Sequence, residues 1–169
     1  LFAAPTFVQH VKKNIKSKHL VCVAPDVGGV ERARAIAKRL SADLAIIDKR
    51  RSGPGTSEVM NVIGDVRNKI CVIIDDLVDS GGTIVNAATA LKNKGAKDVY
   101  AYVVHGVLTG QAVKKINNSK IKKFVISNSI LNSKKIKKSK KFQVISVGTL
   151  FAEAIKRISI SKSVSKLFK

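Results

Sequence analysis

The sequence predicts one α/β domain with a doubly wound, mostly parallel sheet. Three observations predict it. Short β-branched apolar runs alternate with amphipathic helical patterns along the chain. The runs are apolar almost throughout, as in strands buried on both faces, instead of at every second residue. The length of 169 residues matches a single domain. Such a domain buries roughly 70% of its unfolded surface, enough for a core.

Six runs read as strands: 20–26 (LVCVAPD), 43–49 (DLAIIDK), 69–76 (KICVIIDD), 99–106 (VYAYVVHG), 122–129 (KKFVISNS) and 142–147 (FQVISV). Between them, Val30, Ala33, Ala37 and Leu40 recur at the three-and-four spacing of a helix face. Ile84, Ala87, Ala88 and Leu91 do the same before Gly95, a helix stop. Leu150, Ala154, Ile155 and Ile158 mark a third helix. Segment 1–19 reads either as a helix packed on the sheet edge or as a connection from something upstream. Residues 132–141 (NSKKIKKSKK) are low in complexity and read as an exposed loop. No linker or internal repeat divides the chain. It begins at Leu1, not Met, which suggests a fragment, a trimmed chain or a mis-assigned start.

Composition excludes several classes. Apolar residues make up 45%, too many for a disordered chain. No apolar run reaches the roughly 18–20 residues that span a bilayer, and no secretory leader is visible. Cys22 and Cys71 both sit in apolar runs, as buried free thiols do in a reducing compartment, so a cytoplasmic location is expected. The net charge is +21, and 110–169 holds 16 of the 32 bases with one acid, Glu153. That imbalance would suit nucleic acid. However, 25 of the bases are Lys, and the tail has no Trp or Tyr to stack on bases. The lysine and asparagine excess is also what an AT-rich coding bias produces.

Ligands of open α/β sheets bind at the carboxyl ends of the strands. Residues 72–84 (VIIDDLVDSGGTI) run from a strand through Asp75 and Asp76 into Asp79-Ser80-Gly81-Gly82-Thr83 and then a helix. Glycines let backbone N–H groups approach an anion, and Ser80 and Thr83 add hydroxyl donors, so a phosphate fits this turn. The acid pair would repel it and suits sugar hydroxyls or a metal ion. Helix capping explains one of these residues, not the further acids and glycines. A second strand end, 25–35 (PDVGGVERARA), carries Asp26 before Gly28-Gly29, which also reads as a capped tight turn. A third, 48–60, brings Lys49, Arg50 and Arg51 into a Gly/Pro/Ser loop on the same sheet edge. Three cations entering a loop that closes suit a polyphosphate. A solvated basic turn is the plainer reading. His105 ends a strand at the same rim, whereas His10 and His19 have no evident partner.

VIIDDLVDSGGTI resembles the phosphoribosyl-pyrophosphate signature of type I phosphoribosyltransferase-like folds. VAPDVGGVERARAIAKRL, AIIDKRR, VMNVIGDV and HGVLTGQA, in this order, resemble ribose-phosphate pyrophosphokinases, also called phosphoribosyl pyrophosphate synthetases. The resemblance is strong through residue 113, thin over 114–141, and returns in VSKLF. The family enzyme has two similar α/β domains, and the whole chain, 1–169, resembles the second. The resemblance implies magnesium-dependent transfer of the pyrophosphoryl group of ATP to the 1-hydroxyl of ribose 5-phosphate, with AMP leaving. It implies that Asp79, Ser80, Gly81, Gly82 and Thr83 hold the 5-phosphate, and that Asp75 and Asp76 take ribose hydroxyls. It places Asp26 at the magnesium, makes Lys49 the catalytic lysine and turns Arg51 to the phosphates. It also implies a homo-oligomer, or a partner carrying the first domain, which supplies most adenine contacts and a metal-binding histidine. Two other readings stay open. A phosphoribosyltransferase would share the DDxxDSGGT turn without the paired PDVGG and DKRR motifs. A non-catalytic or regulatory relative would bind sugar phosphate without turnover.

Overall fold

The five residues of β1 (Leu20–Ala24) are all buried, and their alternation assigns the two layers. Val21 and Val23 face a core shared with Ile73, Ala87, Leu91 and Ile116. Leu20, Cys22 and Ala24 face the opposite core, with Phe7, Ile36, Val72 and Ile74. A strand covered on both sides has no polar face to offer, which is why the run is continuously apolar. The two thiols fall on opposite sides of the sheet, both free and fully buried.

The computed structural model describes residues 1–50 and 59–168. Among these, β1 is joined by β2 (Asp43–Arg50), β3 (Val59–Ile63), β4 (Ile70–Val78), β5 (Asp98–Gly106), β6 (Lys123–Ser127) and β7 (Phe142–Ile145). They form one sheet in the order β3-β2-β1-β4-β5-β6-β7. All pairs are parallel except β2 with β3. One core is closed by α3 (Gly82–Asn93), α4 (Ala112–Asn117) and α5 (Ser133–Ile136). The other is closed by α1 (Ala4–Asn14) and α2 (Val30–Leu40). The last helix, α6 (Gly148–Ser159), buries only Ala154. The doubly wound class and the three expected helices are therefore present.

The structure corrects four expectations. There is a seventh strand, β3, the antiparallel edge, with Lys49 opposite Met60 and Ile46 opposite Ile63. Its signal was the alternation of half-buried Met60 and Val62 with exposed Asn61 and Ile63 before Gly64. Gly64 sits at φ +111°, and a Cβ there would lie 3.0 Å from the Leu44 carbonyl oxygen. Segment 1–19 does form a helix, but on the sheet face instead of its edge: Phe7 stacks edge-on against Tyr102 at 5.5 Å. The 132–141 stretch is not simply an exposed loop. Asn132 and Ile136 are buried, Asn132 Nδ2 donates to the Gly106 carbonyl, and Lys135 Nζ donates to those of Val107 (3.1 Å) and Leu108 (3.3 Å). Finally, β4 continues to Val78, so the acid pair lies inside the strand, with Asp75 opposite Val103.

Candidate active site

The carboxyl ends of β1 and β4 are adjacent, and both feed helices through glycine turns. After β1, Asp26 Oδ1 accepts from Gly29 N at 2.9 Å and caps a single 3-10 turn, Val27–Gly29, that leads into α2. After β4, Gly81 takes φ +77°, in the left-handed region glycine enters at least cost, and α3 starts directly behind it. Asp26, Asp75, Asp76 and residues 79–83 line one cavity of about 290 Å³. Eight of the ten expected site residues thus converge. Lys49 lies at the same end of the sheet, three residues beyond Ile46, which pairs with Ala24 of β1. It does not line that cavity. Arg51 lies outside the described residues.

The acids are not alone. Arg32, on the first turn of α2, places Nη2 at 2.6 Å from Asp76 Oδ2 and Nη1 at 3.5 Å from Asp75 Oδ1. Asp75 Oδ1 also accepts from the Asp76 N–H at 2.9 Å. Asp75 is the more enclosed, its side chain 16% exposed against 59% for Asp76. Burial pushes the Asp75 carboxyl up to about 7; the Asp76 N–H and Arg32 oppose the rise, and the Asp76 carboxyl adds to it. A carboxyl raised in the fold holds a proton that the unfolded chain has released, so it lowers stability as pH climbs from about 4 to about 7. Asp75→Asn is therefore expected to melt higher than the wild type at pH 8 and close to it at pH 4. Thermal denaturation at the two pH values checks this. Equal shifts at both would remove the buried charge as the cause.

The sequence reading missed two residues here. Arg32 sat among other bases on a helix face, and only the fold brings it to β4. Thr109, in the loop after β5, donates from Oγ1 to Asp79 Oδ1 at 2.6 Å, and its N–H donates to the Asp79 carbonyl at 3.1 Å. The Asp79 carboxylate at the head of the glycine turn is thereby tied to the loop after β5. His105 belongs elsewhere. Its Nδ1 lies 2.9 Å from Ser129 Oγ. The residue lines a separate cavity of about 540 Å³ with Phe2 and Phe168, to which Arg32 and Asp76 also contribute.

Among the described residues, no three Asp, Glu, His or Cys side chains converge as a metal cage. Magnesium does not require one, since it commonly binds through one or two carboxylates plus substrate phosphates and water. Asp26 spends Oδ1 on its cap, leaving the other oxygen as a donor of the right hardness.

A mostly parallel sheet whose central strands end in an acid pair, a glycine-rich turn and a capped carboxylate fits the class of type I phosphoribosyltransferase-like domains. Its fold is shared by a purine phosphoribosyltransferase from Pyrococcus horikoshii (TM-score 0.52, 16% identity, over 85% of this chain and 84% of that one). Much closer is the crystal structure of phosphoribosylpyrophosphate synthetase from Mycobacterium smegmatis, with TM-score 0.86 and 30% identity over 94% of this chain and 51% of that one. Residues 51–169 match the phosphoribosyl synthetase-associated domain, and the chain belongs to that family. A curated ribose-phosphate pyrophosphokinase of Bradyrhizobium diazoefficiens is 52% identical over 99% of this chain and 53% of its own length. The chain spans about half the length of the curated relatives it matches.

Proposed function

We propose that this chain is the sugar-phosphate half of a ribose-phosphate pyrophosphokinase, which makes AMP and 5-phosphoribosyl 1-diphosphate from ATP and ribose 5-phosphate. The observation that carries the reading is the single cavity joining the acid pair to the 79–83 turn. The turn holds the 5-phosphate through backbone N–H groups at the start of α3 and the hydroxyls of Ser80 and Thr83. Asp75 and Asp76 accept hydrogen bonds from the ribose hydroxyls, which fixes the sugar's orientation. The 1-hydroxyl releases its proton to solvent as its oxygen bonds to the β-phosphorus of ATP, the bond from that phosphorus to the α,β-bridging oxygen breaks, and AMP leaves. Lys49 and Arg51 stabilise the charge that builds on the transferring oxygens. Asp26 would hold magnesium, whose role is to neutralise the donor's phosphates. ATP needs contacts beyond these residues, from a nucleotide-binding domain, a neighbouring subunit of a homo-oligomer or a partner. The expected location is cytoplasmic, and among the described residues no helix is long and apolar enough to cross a membrane.

Nucleic acid is not a proposed partner. Several tail lysines are engaged within the chain: Lys122 pairs with Asp98, Lys123 donates to the Lys140 carbonyl, and Lys141 donates to the Ser119 carbonyl. The test is calorimetric titration of the chain with ribose 5-phosphate, alongside AMP release from ATP with and without the sugar. Binding in the micromolar-to-millimolar range typical of substrates is expected. Sugar-dependent AMP release far below about 1 per second is expected from the chain alone, since placing ATP in line is worth up to roughly 7–11 kcal/mol of barrier. No sugar-phosphate binding would overturn the proposal. Fast AMP release would overturn the need for a second domain.

A further inference from the structure

Asp75 and Asp76 are consecutive residues of one strand, and consecutive strand side chains point to opposite faces of a sheet. Two such carboxylates diverge unless something draws them together, yet both line the same cavity. Arg32 is the side chain that touches both, at 3.5 Å and 2.6 Å. It comes from the α2 layer, on the Asp76 side of the sheet, and reaches across the strand end.

The preceding motif is shaped for this reach. Asp26 caps the 3-10 turn through Gly29 N and so orients the first turn of α2, which carries Arg32. A Cβ on Gly29 would lie 3.5 Å from Arg32 Nη1, inside the space beside the guanidinium. The PDVGGVER and DDLVDSGG segments, separate in sequence, are one device in the fold. The guanidinium takes Oδ1 of Asp75 and Oδ2 of Asp76. Among the described residues, the remaining oxygens are engaged by nothing outside the acid pair itself. Two acceptors, one on each acid and held by a common fork, match two neighbouring hydroxyl donors.

We infer that Arg32 is the positioning residue that turns the Asp75–Asp76 pair into a reader of adjacent hydroxyls, and so determines selection of ribose over 2-deoxyribose phosphates. The inference rests on the proposed sugar-phosphate site and adds its specificity. A planar fork suits the task because it engages two carboxylates at once, whereas an ammonium is a point charge. Losing a hydrogen bond to a charged group is worth roughly ten- to hundredfold in affinity, which sets the expected scale.

The experiment measures the affinities of ribose 5-phosphate, 2-deoxyribose 5-phosphate and inorganic phosphate for the wild-type chain, Arg32→Lys and Arg32→Gln. The wild type is expected to prefer the ribose compound by about tenfold or more. Arg32→Gln is expected to bind the two sugars equally, with inorganic phosphate affinity unchanged. Arg32→Lys is expected to recover only part of the preference. A purely structural role would instead lower all three affinities together. If the wild type binds ribose 5-phosphate and Arg32→Gln keeps the full preference, this inference falls and the site stands. If the wild type binds none of the three, site and inference fall together. Should Arg32→Gln fail to fold, Arg32→Lys decides, and a preference equal to the wild type's overturns the inference.

Discussion

Gly81→Val is expected to reduce ribose 5-phosphate affinity at least about hundredfold, or about 2.7 kcal/mol, to below detection by calorimetry. Gly81 sits at φ +77°, where a β-branched residue is strained by more than the roughly 1–2 kcal/mol that an ordinary side chain costs. The space itself is not the obstacle, since the nearest atom to an added Cβ is Ile116 Cδ1 at 3.4 Å. The chain escapes the strain by rotating the peptide that aims the next N–H groups. Those groups are the proposed phosphate donors. Gly82→Ala serves as the comparison: its φ is ordinary, and a Cβ would meet nothing nearer than Ser80 Oγ at 3.9 Å. It should fold like the wild type and still weaken binding, because a Cβ would stand where the phosphate approaches. Full binding by both variants would remove the turn from the site.

Lys49→Ala is expected to lower turnover roughly 10²–10³-fold, with sugar-phosphate affinity nearly unchanged, in an assembly competent for AMP release. Lys49 lies at the carboxyl end of β2, beyond β1 from the 79–83 turn, and does not line the cavity formed by the acids and the glycines. A cation outside the proposed sugar-phosphate cavity would act on the transferring group instead of the sugar. The decisive measurement is the division between kcat and KM. A raised KM with kcat intact would make Lys49 a binding residue and displace it from the chemical step.

The structure also shows where reading the sequence works and where it stops. The buried parallel strands were legible because covering both faces leaves a run with no polar positions, as in Val21-Cys22-Val23-Ala24. The glycine turn after β4 was legible because its pattern is local: acids, glycines and hydroxyls follow one another within one strand–turn–helix. β3 was harder, since an edge strand buries one face and its alternation is only five residues long. The lysine-rich 132–141 stretch hid two anchors, Asn132 and Ile136, whose burial depends on the loop after β5 arriving beside them.

By itself, then, the sequence determined the layer architecture, the three motifs at the carboxyl end of the sheet and the family resemblance. Each of these is written in short-range pattern: period, turn chemistry and the order of residues. Only the tertiary structure decided that Arg32 serves the acid pair across 43 residues of sequence, and that Thr109 holds Asp79 across 30. It also decided that His105 faces a different cavity. The physical reason is that a parallel sheet brings the ends of distant strands together, and spacing along the chain carries no record of which side chains then touch.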